Sequence, residues 1–163
     1  MIPIVRPVTL DEVIWISSRL RPEDAAEVLA ASGEKPEDIL PITTMECREA
    51  YTMRWEVGGD PVVIFGVGDD YLLKDWGVVW LLATVDINKG IKAFAREVPH
   101  WLNGWMTRRY PAGLHNLVDT RNKSHLRWLR RMNFQLGETI EQNGVDFQHF
   151  TYRRTDVRSS NNC

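Results

Sequence analysis

Apolar positions recur along this chain with two periods, and each change of period marks an element. Ile2–Thr9 ("IPIVRPVT") reads as a first strand. Leu10, Val13, Ile14, Ile16 and Leu20 then fall at helical spacing. A second helix is expected over "RPEDAAEVLAASG", with Pro22 at its start, acids in its first turn and Gly33 at its end. "EKPEDILP" is expected as a loop or single turn, and "ITTMECREAYTM" as a helix start capped by Thr43 or Thr44. "YTMRWEV" and "PVVIFGVG" read as strands around a Gly58–Asp60 turn. "WGVVWLLAT" is almost continuously apolar, the pattern of a strand buried on both faces.

After Thr84 the period lengthens. Ile87, Ile91, Phe94, Val98, Trp101, Leu102 and Trp105 predict one long helix from Asp86 to Tyr110. Pro99 should kink or split it, because proline lacks an N–H and crowds an earlier carbonyl. "LHNLVD" follows as a strand and "NKSHLRWLRRM" as a helix. Two last strands flank Asn143-Gly144, a strong hairpin signal. The order predicts one α/β domain over residues 1–154 with a mixed sheet, and a flexible tail over 155–163.

Composition adds bounds. The chain has 163 residues, 44% hydrophobic and 26% charged, enough for one sizeable core. No apolar run approaches the roughly 18–20 residues of a membrane span, and the start lacks a secretory pattern. Cys47 and Cys163 are too few and too far apart for a disulfide framework or zinc site, so a reducing cytoplasm fits. Charge is unevenly distributed. Residues 1–75 hold 7 Lys+Arg against 15 Asp+Glu, and residues 76–163 hold 13 against 7. An anionic ligand is therefore expected at the second half. A pI of 6.1 and the absence of a domain-wide basic stripe argue against nucleic acid.

The element order resembles the GNAT fold of acetyl-CoA-dependent acyltransferases. That resemblance implies a mixed sheet whose fourth strand ("WGVVWLLAT") and next strand ("LHNLVD") splay apart, with flanking helices. The pantetheine arm of acetyl-CoA would lie in the opening, against strand backbone at Leu82, Ala83 and Thr84. Its pyrophosphate would sit at the next helix start, near Asn88, Lys89, Gly90 and Ile91, where unpaired N–H groups attract anions. Where the family's loop has two small or glycine positions, "VDINKGIKA" has one glycine. Asp86 is an N-cap candidate there.

A second resemblance lies in "N-x-S-H-x-R-aromatic-L" (Asn122, Ser124, His125, Arg127, Trp128, Leu129), followed by the hairpin and "FQHFTYRR". It is similar to the GNAT-like internal virion protein A family of short-tailed bacteriophages. This implies a place in the host bacterial cytoplasm or the virion, and a host bacterial protein as a candidate target. Asn122, Arg127 and Arg130 become cofactor candidates. Arg121, Lys123 and Arg131 share the same basic stretch, whose guanidinium groups suit phosphate oxygens or simply a solvated helix face.

Acyl transfer to an amine needs a base, oxyanion donors and an acid for the leaving thiolate. The family's usual acid, a tyrosine, is replaced by Leu129. Tyr110 is the substitute considered, with Tyr152 behind it, and Glu56 is the candidate base. Asp69-Asp70 reads as a turn, His125 as a hydrogen-bonded structural histidine, His100 as surface and Cys47 as a small core residue. The function expected first is acetyl-CoA-dependent N-acyl transfer to a protein or small amine by direct attack; the alternative is a catalytically silent binding protein on the same fold, acting in the virion or on a host enzyme.

Overall fold

The computed structural model describes residues 1–154; the expected tail at 155–163 lies outside the described residues. The chain folds as β1 (Ile4–Pro7), α1 (Leu10–Ser17), α2 (Pro22–Ser32), α3 (Pro36–Glu46), β2 (Glu49–Arg54), β3 (Val63–Asp69) and β4 (Trp76–Ala83). A 3₁₀ turn (Val85–Gly90), α4 (Ile91–Trp101), a π turn (Leu102–Met106) and the short α5 (Thr107–Arg109) follow. The chain ends in β5 (Gly113–Asp119), α6 (Lys123–Arg131), β6 (Gln135–Gln142) and β7 (Val145–Tyr152).

These strands form one seven-stranded mixed sheet in the order β1-β2-β3-β4-β5-β7-β6, in which β4–β5 is the parallel pair. Alternation along β3 divides the core. Val63, Phe65 and Val67 face a layer built by Phe94, Val98 and Leu102, whereas Ile64 faces Val13, Ile16 and Leu40 from α1 and α3. Gly66 lets Trp80 lie flat on the sheet: an added Cβ would come within 2.6 Å of the Glu49 carbonyl and 2.8 Å of the Trp80 ring. The hairpin turn is the expected one, with φ of 52° at Asn143 and 74° at Gly144.

Several expected boundaries change. Most of the segment read as a loop, 34–41, is the first half of α3, which begins at Pro36, where a missing N–H costs nothing. Thr43 and Thr44 are therefore inside that helix rather than caps, and Pro41 is tolerated within it. The strand expected over 51–57 spans Glu49–Arg54, and the turn begins at Trp55. Pro99 does not split its helix. α4 runs through it to Trp101, and the disturbance emerges one residue later as the π turn. Among the described residues, no helix is long and apolar enough to cross a membrane.

Candidate functional site

The parallel β4–β5 pair is short. Trp76–Gly113, Gly77–Leu114 and Val78–His115 are in register, and pairing stops there. Beyond it the strands part, as the resemblance implied. Asn116 bridges the first open rung: its Nδ2 donates to the Val79 carbonyl at 3.0 Å, while its Oδ1 accepts from the Leu117 N–H at 2.8 Å.

The wide end of the wedge is occupied by α2. The Arg21 N–H donates to the Ala83 carbonyl at 2.8 Å, and the Ala83 N–H donates to Asp24 Oδ2 at 2.9 Å. On the other strand, the Asp119 N–H donates to Glu27 Oε1 at 2.7 Å. Asn122 Nδ2 donates to Asp24 Oδ1 at 2.9 Å, and the Arg21 guanidinium lies 2.8 Å from the same oxygen. Asp24 is 1% exposed and Glu27 9%. Two carboxylates on successive turns of one helix thus tie the tips of β4 and β5 together. A buried carboxylate is stable only with such donors around it.

Between this strut and the closed rungs lies a cavity of about 400 Å³. Its walls are largely apolar, with Trp80, Leu82, Leu117 and Phe147 among them, and polar groups enter from Glu27, Thr44, Asn116, His125 and Trp128. Ala31, Thr43 and Gln142 line it and are exposed, so it opens between α2–α3 and the β6–β7 hairpin.

Of the expected cofactor residues, Leu82 lines the cavity, and Ala83 is buried with both backbone groups bonded to α2. The Thr84 N–H bonds to Val62 of the β3 segment, and its hydroxyl is buried without a partner. Asn88 and Lys89 are exposed, and Lys89 pairs with Asp86 at 2.9 Å. Gly90 packs beneath Trp55, whose ring would lie 2.6 Å from an added Cβ; the indole N–H donates to the Asp86 carbonyl at 2.9 Å. Ile91, 37% exposed, opens α4. Asn122 is 1% exposed and caps α6, accepting the His125 N–H at 3.3 Å. Arg127 and Arg130 are exposed on α6 and have no ion-pair partner among the described residues. Arg121 pairs instead with Asp119 at 2.6 Å. Burial raises the Asp119 carboxyl, but the hydrogen bonds and charge of Arg121 outweigh it and hold the pKa below the usual value.

Neither catalytic candidate lines the cavity. Glu56 is exposed in the β2–β3 turn. Tyr110 is 4% exposed and donates to Asp69 Oδ1 at 2.7 Å; burial, then Asp69, pushes its pKa up to about 12. Leu129 is in the core, as a leucine at that place should be. Cys47 is half-buried, its thiol against the Glu49 and Val67 carbonyls rather than in the core.

The residues unremarked in the sequence are Asp24, Glu27 and Asn116. Asp24 looked like an ordinary first-turn helix charge and Glu27 like a solvated one a turn later, and nothing local distinguishes them. Asn116 carried a usable signal, since asparagine is depleted in strands. Asp24, Glu27 and His125 offer ligand atoms within 4.8 Å of one another, but Arg21 already supplies a cation to Asp24. A second polar cluster lies where β4 and β5 begin. Asp70 Oδ2 is 2.6 Å from His115 Nε2, and His115 Nδ1 is 2.9 Å from His149 Nε2. Asp70 also forms the expected turn, accepting from the N–H groups of Leu72 and Leu73, which hold its pKa low.

The fold is that of the N-acetyltransferases. The chain is similar to the N-acetyltransferase from Staphylococcus aureus Mu50, with a TM-score of 0.66, 12% identity, and 94% of this chain and 99% of that one covered. It is also similar to the ribosomal-protein-S18-alanine N-acetyltransferase from Escherichia coli (TM-score 0.64, 11% identity, 99% and 100% covered) and to an acetyltransferase of GNAT family from Streptococcus pneumoniae (0.56, 12%, 94% and 99%). No protein-family profile and no curated protein matches the chain.

The fold implies acetyl-CoA, and the residues present do not fit it. Of the strand N–H groups expected to meet a pantetheine arm, that of Ala83 already bonds to Asp24 and that of Thr84 to the Val62 carbonyl. The glycine of the loop holds an indole.

Proposed function

We propose that this chain is a binding protein built on the N-acetyltransferase fold, without acetyl-CoA-dependent turnover. The observation that carries this reading is the double tie from α2, Asp24 to Ala83 and Glu27 to Asp119, across the wide end of the wedge. The core position of Leu129 and the remoteness of Glu56 and Tyr110 from the cavity agree with it. Resemblance of the final helix and hairpin to phage internal virion proteins supports a role in a phage particle or against a host bacterial protein. Such roles require shape and surface rather than chemistry.

A second reading has one observation in its favour. β4 and β5 do part, and α6 beside them carries cations at Arg127 and Arg130 that have no ion-pair partner among the described residues. Departure of α2 from the wedge would open it to acetyl-CoA, as the N-acyltransferase reading requires. Thermal denaturation with acetyl-CoA separates the two. A ligand at a hundredfold excess over its Kd stabilises the native state by about 2.7 kcal/mol. The binding-protein reading expects no shift at millimolar acetyl-CoA, and a clear shift refutes it.

A further inference from the structure

Three side chains from three separate segments form a hydrogen-bonded chain, and none of them lines the wedge cavity. Asp70 Oδ2, in the β3–β4 turn, lies 2.6 Å from His115 Nε2 on β5, and His115 Nδ1 lies 2.9 Å from His149 Nε2 on β7. The Asp70 and His115 side chains are 12% and 16% exposed. The carboxylate sets the direction of the bonds. Asp70 Oδ1 accepts the Leu72 and Leu73 N–H groups, which favour the ionised form, and an ionised carboxylate only accepts. His115 Nε2 therefore donates to Asp70. In a neutral imidazole the other nitrogen then accepts, so His115 Nδ1 takes the N–H of His149 Nε2. At the end of the chain stands His149 Nδ1, which carries a lone pair and no proton.

His149 Nδ1 is accessible. It has no hydrogen-bond partner among the described residues, and it is not one of the five side-chain atoms there that are buried without one, so it meets solvent. The adjoining strand leaves it uncovered. The β6–β7 register shifts between the pairs Leu136–Phe150 and Thr139–Gln148, so Gly137 and Glu138 together oppose His149. Bulges of this kind re-aim side chains and are frequent beside functional sites. A Cβ added at Gly137 would stand 3.8 Å from His149 Nδ1, and glycine keeps that side open.

A nucleophile within hydrogen-bond reach of a base, which is oriented in turn by a third group, is the signature of an activated nucleophile. Here the three parts are His149, His115 and Asp70. Burial first, and then His115, outweigh Glu138 and keep the His149 ring in its neutral form at pH 7. Asp70 behind the histidines and Glu138 on the bulge are both anionic, so an anionic electrophile is disfavoured.

We infer that His149 is a modification site, at which Nδ1 captures the acyl group of a small, uncharged, activated acyl donor such as an ester or anhydride. The Nδ1 lone pair forms the bond to the acyl carbon. The Nε2 proton passes to His115 Nδ1, and the Asp70 carboxylate balances the resulting imidazolium. The leaving group departs into solvent with the electron pair of the broken bond. His115 then returns its extra proton to water, and a neutral acyl-imidazole remains at His149. The step is independent of acetyl-CoA and of the wedge.

The probe is diethyl pyrocarbonate, a neutral activated acyl donor, applied to the full chain at pH 7 and followed by mass-spectrometric mapping. His100, exposed on α4, is the internal comparator. His149 should be acylated about tenfold faster than His100, although it is the less exposed of the two. Asp70→Asn keeps an acceptor for Leu72 and Leu73 but turns a donor towards His115, which reverses the chain and puts the proton on His149 Nδ1. In that variant His149 should react no faster than His100. Long-range proton–nitrogen NMR should find His149 Nδ1 bare in the natural chain and protonated in Asp70→Asn. Cooperative unfolding in urea shows that the variant is folded; should it fail, His115→Gln, which removes the base, takes its place with the same expected loss. Acylation of His149 no faster than of His100 in the natural chain, a proton on His149 Nδ1 there, or a His149 rate unchanged in the folded variant overturns the site.

Discussion

The Asp24 carboxylate on α2 accepts the N–H of Ala83 at the tip of β4, 59 residues further along the chain, at 2.9 Å. Through its other oxygen it accepts from Asn122 at the start of α6. One side chain thus fixes a helix, a strand tip and a second helix. Asp24→Ala would leave the Ala83 N–H, the Asn122 amide and the Arg21 guanidinium unmatched in the interior. A loss of about 3–5 kcal/mol is expected, the range for breaking a buried ion pair. Urea denaturation measures it, and a loss below about 1 kcal/mol, typical of an exposed pair, would show that Asp24 is not buried as described.

Gly66 offers a separate check on the sheet. Gly66→Ala drives a methyl into the Glu49 carbonyl and the Trp80 ring, and the backbone partner cannot yield cheaply. A destabilisation of about 1–3 kcal/mol is expected. Because Trp80 lines the cavity, its fluorescence should change in the same variant.

The histidine pair gives a pH dependence with a definite sign. Burial first, and then the neighbouring His115, holds the His149 pKa below its ordinary value of 6.5. A group with a depressed folded pKa binds fewer protons folded than unfolded, so its stability is present above pH 6.5 and is lost as pH falls through the folded value. Unfolding free energy should therefore decline from pH 7.5 towards pH 5.5, read by urea titration at fixed salt. His149→Gln should flatten that decline, and an unchanged slope in the variant would contradict the assignment.

Exposed cations on α6 should matter little to folding. Arg127→Glu together with Arg130→Glu exchanges charges that have no partner among the described residues. Arg130 is in the last turn, where a cation favours the helix dipole by about 0.3–1 kcal/mol at low salt. A loss of about 1 kcal/mol that shrinks with added salt is expected in urea denaturation. A much larger, salt-independent loss would mean that these side chains are engaged in the fold.

Much of the architecture was legible because its signals are local. Asn143-Gly144 announces its turn through the positive φ both residues adopt, and the apolar run of β4 announces a strand covered on both faces. Misreadings came from proline. Pro36 and Pro41 suggested a loop, yet one opens α3 and the other is accommodated in it. Pro99 suggested a kink or a split, and the helix is not split there but deforms into a π turn at Leu102. At the site the limits were different. The parted strands followed from element order, but what fills the gap did not. Asp24 sits in a first turn rich in acids and Glu27 one turn further on, the pattern of a solvated helix face. Only contacts spanning 59 and 92 residues of sequence convert them into the closure of the wedge.

That closure is tested most directly by native-state hydrogen exchange at two amides, Ala83 and Asp119. Bonded to buried carboxylates, both should exchange only through large-scale unfolding, with protection matching the core of β3 and unaltered by saturating acetyl-CoA. Exchange at the rate of exposed backbone, or protection that arises only once acetyl-CoA is added, would show a wedge open to the cofactor.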